Sequence, residues 1–178
     1  MQITSIRAIN NEPAIQAQLN GEGTVLGFDF GEKRIGVSLG EHMLGIAHPL
    51  TTINAESNDD RFKQIAELVS EWKPAVLVVG LPLSLDGEEH AVTLLCKKFA
   101  RRLDGRFSLP VVMIDERLSS VEAGSTLTEM GITGRKQKTM LDKVAAQHIL
   151  QSYFDRIAQE IQIQENQMRE NLHKGQHQ

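Results

Sequence analysis

The segment from Thr24 to Gly40 reads Thr24-Val25-Leu26-Gly27-Phe28-Asp29-Phe30-Gly31-Glu32-Lys33-Arg34-Ile35-Gly36-Val37-Ser38-Leu39-Gly40. Residues 24–30 and 35–40 are mostly apolar, which predicts two buried strands, and the polar turn at 31–34 predicts that they pair as a hairpin. Asp29 stands near the end of the first strand, where an unpaired carboxylate is costly. We therefore expect Asp29 either to make a local contact, for example with Lys33, or to carry chemistry.

The rest of the chain predicts helices alternating with strands. A third strand is expected at 44–53, where Pro49 indicates an edge or an irregularity, and apolar residues then recur at helical spacing from 58 to 72. Further strands are predicted at 75–80 and 110–114, and further helices at 91–103, 119–130 and 141–157, with a basic loop at 131–139. This order predicts an α/β fold: a mixed five-stranded sheet with helices on both faces. Residues 1–23 and 158–178 are predicted to be an N-terminal extension and a polar C-terminal tail.

Acidic side chains occur at the ends of three predicted elements. Asp115 and Glu116 follow a buried strand at its carboxyl end, where sites form in open α/β sheets, and Asp142 lies in the first turn of the last helix. A structural explanation is also available, because acidic residues suit the first turn of a helix. If the last helix starts over the sheet edge, Asp29, Glu116 and Asp142 converge. Two such charges about 4 Å apart repel by roughly 4 kcal/mol at an effective dielectric constant of about 20, and Mg²⁺ or Mn²⁺ would neutralise an all-oxygen cluster.

The charge of the chain is distributed unevenly. The formal net charge of −4 argues, taken alone, against a polyanionic partner. Residues 97–143, however, contain 10 basic and 6 acidic residues, whereas residues 1–96 contain 6 basic and 13 acidic ones. This basic stretch indicates contact with an anion or a nucleic acid, although solvated helix faces would also explain it. A single cysteine, Cys96, and the lack of a signal peptide or a membrane-spanning apolar run predict a reducing, cytoplasmic location.

Four ordered blocks of the chain resemble the YqgF family. The first block is residues 27–37, and the others are Val79-Gly80-Leu81-Pro82 through Asp86-Gly87, then Asp115-Glu116-Arg117-Leu118-Ser119, then Asp142 with Ala145-Ala146 and Ile149-Leu150. The resemblance covers about residues 24–154 and implies a ribonuclease H-like fold. Members of this family are described as nucleases of pre-16S ribosomal RNA or as Holliday junction resolvase-like proteins.

The resemblance also implies roles for particular residues. The acidic triad of the family falls on Asp29, Glu116 and Asp142, which implies a phosphodiester hydrolase that binds Mg²⁺ or Mn²⁺ through these catalytic carboxylates. Basic residues beside the blocks are candidate nucleic-acid contacts: Lys33, Arg34, Arg117, Arg135, Lys136 and Lys138. The first three have an alternative role, which is only to screen the carboxylates. The histidines His42, His48 and His148 fall in no block and are expected to be structural or on the surface.

The leading functional hypothesis is a nuclease that acts on structured RNA, with maturation of the 5′ end of pre-16S ribosomal RNA in ribosome biogenesis as its role. A Holliday junction resolvase-like DNA endonuclease is the alternative within the same chemistry, and it would need a two-fold dimer. Ribosomal particles are candidate partners, and both a monomer and a homodimer remain open. A sugar kinase or actin-like ATPase is disfavoured because its second domain would not fit in 178 residues. A non-catalytic nucleic-acid-binding protein is disfavoured by the presence of all three carboxylates.

Overall fold

The computed structural model describes residues 4–5, 22–82, 90–115 and 134–175. The strands are β1 (Thr4–Ser5), β2 (Thr24–Phe30), β3 (Arg34–Glu41), β4 (Ile46–Asn54), β5 (Val76–Leu81) and β6 (Val111–Asp115). The helices are α1 (Asn58–Trp72), α2 (Ala91–Phe107) and α3 (Gly134–Gly175). None of these described helices is both long enough and apolar enough to cross a membrane.

The strands form one mixed sheet in the order β1-β6-β5-β2-β3-β4. The hairpin of β2 and β3 is antiparallel, as is the pairing of β3 with β4, whereas β2, β5 and β6 run parallel. The predicted five-stranded mixed sheet is therefore confirmed. The two-residue β1, from the predicted N-terminal extension, adds an antiparallel sixth strand beside β6.

Helices cover both faces of the sheet, as predicted, because the two faces carry separate apolar cores. On one face, Leu26 and Phe28 of β2 pack with side chains of α1 and α2 such as Ile65 and Phe99. On the opposite face, side chains of the intervening parity, including Val25, pack against α3. The period-2 alternation of the strands thus assigns each residue of β2 to one helical layer or the other.

The last helix differs from its predicted limits. It begins at Gly134 rather than at residue 141, so the basic residues predicted to form a loop lie in its first two turns. The physical reason is that arginine, lysine and glutamine are good helix formers, and an exposed turn needs no apolar periodicity. The same property lets the polar tail continue the helix to Gly175. The predicted helix at 119–130 lies outside the described residues.

Candidate active site

The candidate site lies at the carboxyl end of β2, where Asp29 is the penultimate strand residue. Val25 of the same strand faces α3, and alternation places Gly27 and Asp29 on that same side of the sheet. The parallel strands β5 and β6 end at the same edge, with Leu81 paired to Asp115. Asp29 therefore points toward the layer of α3 at the sheet edge where sites form in α/β folds.

A glycine brings α3 to Asp29. Gly36 of β3 is the cross-strand partner of Asp29. A Cβ atom built on Gly36 would lie only 1.8 Å from the backbone oxygen of Asp142 in α3. The backbone of α3 thus occupies the space that any side chain at position 36 would need. This close packing delivers Asp142 to the strand pair that carries Asp29.

Further along the same contact, β2 and β3 remain close to α3. The buried hydroxyl of Ser38 donates a hydrogen bond of 2.7 Å to the carbonyl oxygen of Ala146. A Cβ atom on Gly27 would lie 2.9 Å from the Cβ of Leu150, and one on Gly40 would meet the ring of Phe154 at 2.5 Å. These contacts fix the position of α3 along the hairpin of β2 and β3, and they therefore fix the position of Asp142 relative to Asp29.

The two carboxylates interact electrostatically. Burial, together with the nearby charge of Asp142, raises the pKa of Asp29 from 3.8 to about 6. Burial is the larger cause because it penalises the charged form, and a like charge acts in the same direction. Arg34 donates from its Nε to Oδ2 of Asp142 at 2.6 Å, and both side chains are partly exposed. The site therefore contains two neighbouring carboxylates, and an arginine orients one of them, while the other, Asp29, is partly buried.

The structure locates the other predicted site residues only in part. Lys33 lies exposed in the turn between β2 and β3, and Lys138 is exposed in the second turn of α3. Arg135 and Lys136 belong to the first turn of α3, which corrects their predicted placement in a loop. Glu116 and Arg117 lie outside the described residues, immediately after the end of β6.

Two of the three predicted metal ligands are thus brought together, and both supply oxygen donors. Within the described ranges, no group of three or more histidine, cysteine, aspartate or glutamate residues has the arrangement of a metal site. Carboxylate oxygens are the ligands that Mg²⁺ and Mn²⁺ prefer, and a bound cation would offset both the burial and the repulsion by Asp142 that raise the pKa of Asp29. The donor set present therefore fits a hard divalent cation.

Two residues that the sequence patterns did not identify, Gly36 and Ser38, shape this region, whereas His42 lies at the other end of the β2–β3 pair, just beyond Glu41. Gly36 and Ser38 appeared only as ordinary strand positions, although a glycine and a serine of one parity in an apolar strand indicate close approach of another backbone. His42 is 9% exposed, with Nδ1 near the carbonyl oxygens of Glu22 and Gly23 and Nε2 2.8 Å from the hydroxyl of Tyr153. Burial lowers the pKa of His42, which agrees with the structural role expected for it.

The chain is similar to known proteins over most of its length. The family model described as "RuvX: Holliday junction resolvase" matches residues 23–156. A protein of Methylobacillus flagellatus is 67% identical over 147 residues, which are 83% of this chain and 98% of the relative. A protein of Nitrosomonas europaea is 59% identical over 133 residues, 75% of this chain and 90% of the relative. Both carry the name "Putative pre-16S rRNA nuclease".

A solved structure also shares the fold. The yeast mitochondrial Holliday junction resolvase Ydc2 is similar with a TM-score of 0.50 at 10% sequence identity, and the match covers 88% of this chain and 91% of Ydc2. At this identity the likeness speaks for the arrangement of sheet and helices alone. It supports the predicted ribonuclease H-like class.

Proposed function

The chain belongs to the RuvX (YqgF) family of nucleases, and from that membership and the geometry above we propose that it hydrolyses phosphodiester bonds of structured RNA in a metal-dependent reaction. Its substrate is pre-16S ribosomal RNA, and its role is maturation of the 5′ end of that RNA during ribosome biogenesis in the cytoplasm. The observation that carries the proposal is the packing of α3 on Gly36, which brings Asp142 close enough to the partly buried Asp29 to affect its pKa.

Asp29, Asp142 and Glu116 are the proposed catalytic residues and ligands for Mg²⁺ or Mn²⁺. Val112 and Ile114 of β6 pack on the α3 side of the sheet, and Glu116 is the next residue of that parity along the chain. This pattern supports its assignment to the same site as Asp29. A divalent cation bound by these carboxylates would supply the Lewis acidity that activates water and stabilises the leaving oxygen.

The chain's own residues organise the site around those carboxylates. The short hydrogen bond from Arg34 holds Asp142 in one orientation, so that its second oxygen stays available. The partly buried position of Asp29 reduces its contact with water. Lys33, Arg34 and Arg117, with Arg135, Lys136 and Lys138 at the start of α3, are proposed to contact phosphates of the substrate.

A Holliday junction resolvase-like activity on branched DNA is the second candidate, because the matching family model carries that description. RNA is favoured because the two relatives reported above, at 67% and 59% identity, are both named for pre-16S rRNA. The two activities also differ in the assembly they need, since symmetric cutting of two strands requires a two-fold dimer.

Ribosomal particles are the proposed setting for the RNA reaction. Residues 24–157 are proposed to form the nuclease domain, with 1–23 as an extension and 158–178 as a tail.

The test is cleavage of a pre-16S ribosomal RNA fragment and of a four-way DNA junction by the full chain, with Mg²⁺ or Mn²⁺ and with a chelator. We expect specific cleavage of the RNA that the chelator abolishes and that Asp29→Asn lacks. Asp155→Asn, an exposed carboxylate on the same helix α3, is the matched control and should cleave like the unmodified chain. Preferential cutting of the junction would favour the second candidate, and full activity of Asp29→Asn would refute the metal site.

A further inference from the structure

A cavity opens at the same edge of the sheet as Asp29 but on the opposite face. Its volume is about 210 Å³, and it lies between the end of β2 and the helices α1 and α2. Its lining includes three aromatic rings and three cations, which are Phe30, Phe62, Phe99, Arg61, Lys98 and Arg102. Among the proposed nuclease-site residues whose side chains the structure describes, none lines it.

The described residues that line the cavity carry a net positive charge. One of these positive charges is unusual because Arg61 is largely buried. Arg61 is only 9% exposed, yet its guanidinium donates to neutral oxygens, the carbonyl of Glu32 and Oδ1 of Asn58, and lies 5.6 Å from the centre of the Phe30 ring. In the described part of the chain no carboxylate pairs with it. A largely buried cation without a counter-ion favours binding of an anion.

Helix α2 adds two further cations to the cavity. Lys98 and Arg102 lie four residues apart, hence on one helix face, and both are exposed. Glu32 is the one carboxylate among the described lining residues, so three positive charges face one negative charge. The cations surround a floor of Phe30 and Phe99, whose rings stack at 4.7 Å. A phosphate with an attached aromatic or sugar group matches this combination of charge and apolar surface.

We propose that this cavity, formed by Arg61, Lys98 and Arg102 around Phe30, binds one nucleotide unit of the RNA strand next to the unit being cleaved. The proposal deepens the nuclease function and rests on it. Arg61, Lys98 and Arg102 hold a backbone phosphate, and the sugar and base lie against Phe30. These residues bind substrate but take no part in the reaction at Asp29.

The sequence positions of Asp29 and Phe30 connect the two sites. The two residues are adjacent in β2, so their Cα atoms lie about 3.8 Å apart and their side chains point to opposite faces. A strand held at Asp29 on one face can therefore cross the sheet edge and reach Phe30 on the other. Glu32, whose backbone oxygen accepts a hydrogen bond from Arg61, lies in the turn between β2 and β3 at this edge of the sheet.

The size of the cavity favours a single unit of a polymer over a free ligand. Pockets that bury drug-sized molecules measure about 300–1,000 Å³, and this cavity is smaller. An isolated mononucleotide would also bear the full entropic cost of binding, whereas a unit tethered to a strand already bound at Asp29 would not. The occupant is accordingly a phosphodiester-linked nucleotide.

The test measures binding of a fluorescently labelled RNA hairpin with single-stranded flanks to the full chain, in chelator so that no hydrolysis takes place. Lys98→Gln/Arg102→Gln is the test variant, and Lys63→Gln/Arg101→Gln removes the same charge from exposed positions of α1 and α2 outside the cavity. We expect the test variant to bind about tenfold more weakly, with a shallower salt dependence. The control variant should stay within about twofold of the unmodified chain. Equal losses in both variants would overturn the proposal.

A competition arm identifies the source of the nucleotide. Adenosine monophosphate, added at the nucleotide concentration of the RNA, should leave the RNA bound, and displacement by it would overturn the assignment to a strand. Because binding is measured without cleavage, the two proposals fail separately. A chain that cleaves RNA but loses equal affinity in both variants refutes the cavity alone. A chain that shows the expected binding difference but no metal-dependent cleavage refutes the nuclease proposal alone.

Discussion

At the scale of single residues, the main consequence of the site is that Asp29 costs stability. Its carboxyl has a pKa of about 6 in the folded chain against 3.8 as a model group. The folded state therefore holds the proton of Asp29 more tightly than the unfolded state does. The contribution of Asp29 to the free energy of unfolding is fully present below about pH 3.8 and is lost as the pH rises through about 6. Near neutral pH the ionised carboxylate is a burden that the proposed cation would relieve.

We therefore predict that Asp29→Asn is more stable than the unmodified chain near pH 7.5 in chelator. At about 1.4 kcal/mol for each pKa unit, the gain is at most about 3 kcal/mol, and it should shrink toward zero near pH 4. Chemical denaturation at both pH values measures it. A variant that is less stable than the unmodified chain near pH 7.5 would contradict the electrostatic account, whatever its activity.

His42 should give the opposite pH dependence. Burial holds its pKa below the usual 6.5, so the unfolded chain takes up a proton before the folded chain does. Its contribution is fully present above about pH 6.5 and is lost as the pH falls through the folded pKa. His42→Gln should lower the free energy of unfolding by about 1–3 kcal/mol near pH 7.5 and weaken the acid-side loss. His48→Gln, at an exposed position of β4, should change the free energy of unfolding near pH 7.5 by no more than about 0.5 kcal/mol, and equal losses in the two variants would contradict this prediction.

At the level of the helices and strands, the meeting of Asp29 and Asp142 depends on how closely α3 approaches β3. Gly36→Ala would place a methyl group where the backbone oxygen of Asp142 lies, and a helix backbone cannot yield as a flexible side chain can. We expect a loss of about 1–3 kcal/mol in the free energy of unfolding together with reduced RNA cleavage.

The matched control is Gly105→Ala in α2, where an added Cβ has no atom within 4 Å. Alanine has the higher helix propensity, so this change should leave stability equal or raise it by up to about 1 kcal/mol. Thermal unfolding of both variants checks the pair of expectations. A Gly36→Ala chain as stable and active as Gly105→Ala would show that α3 does not rest on Gly36.

The elements of the sheet could be predicted well because burial imposes a clear pattern on them. The apolar run at 24–30 and the helical spacing from 58 to 72 agree with β2 and α1 at both ends. The start of α3 could not be found in this way, since residues 135–139 are all polar and carry no apolar periodicity. Asp29 and Asp142 stood out as acidic residues at predicted element ends. Their meeting depends on Gly36, whose role appears only when the helix is placed on the strand.

At the scale of the whole molecule, the net charge of −4 is a poor guide to its partners. Part of the acidic charge belongs to the proposed metal site, where a bound cation would reverse its local effect. The basic residues Arg135, Lys136 and Lys138 belong to the first two turns of α3, and the same helix packs on β3 through Ala146. Placement in the helix rather than in a loop puts these positions a fixed number of turns before Asp142.

Neutralising this basic turn tests its proposed contact with phosphates. Replacing Arg135, Lys136 and Lys138 by glutamine should make the negative slope of log affinity against log salt shallower by about 2 units. Each lost phosphate contact removes somewhat less than one unit from the size of that slope. The matched control replaces Lys63, Arg101 and Arg169, which are exposed on α1, α2 and the distal part of α3. RNA binding across a salt series provides the measurement, and equal slopes for the two triple variants would place the substrate path elsewhere.

The most direct test of the central claim is calorimetric titration of the full chain with Mn²⁺ in the absence of nucleic acid. We predict that Mn²⁺ binds the unmodified chain and the Asp155→Asn control with similar affinity. Asp29→Asn and Asp142→Asn should each bind at least about tenfold more weakly, because each loses a carboxylate ligand. Unchanged Mn²⁺ binding by Asp29→Asn and Asp142→Asn would contradict the claim that these two carboxylates form the metal site of the nuclease.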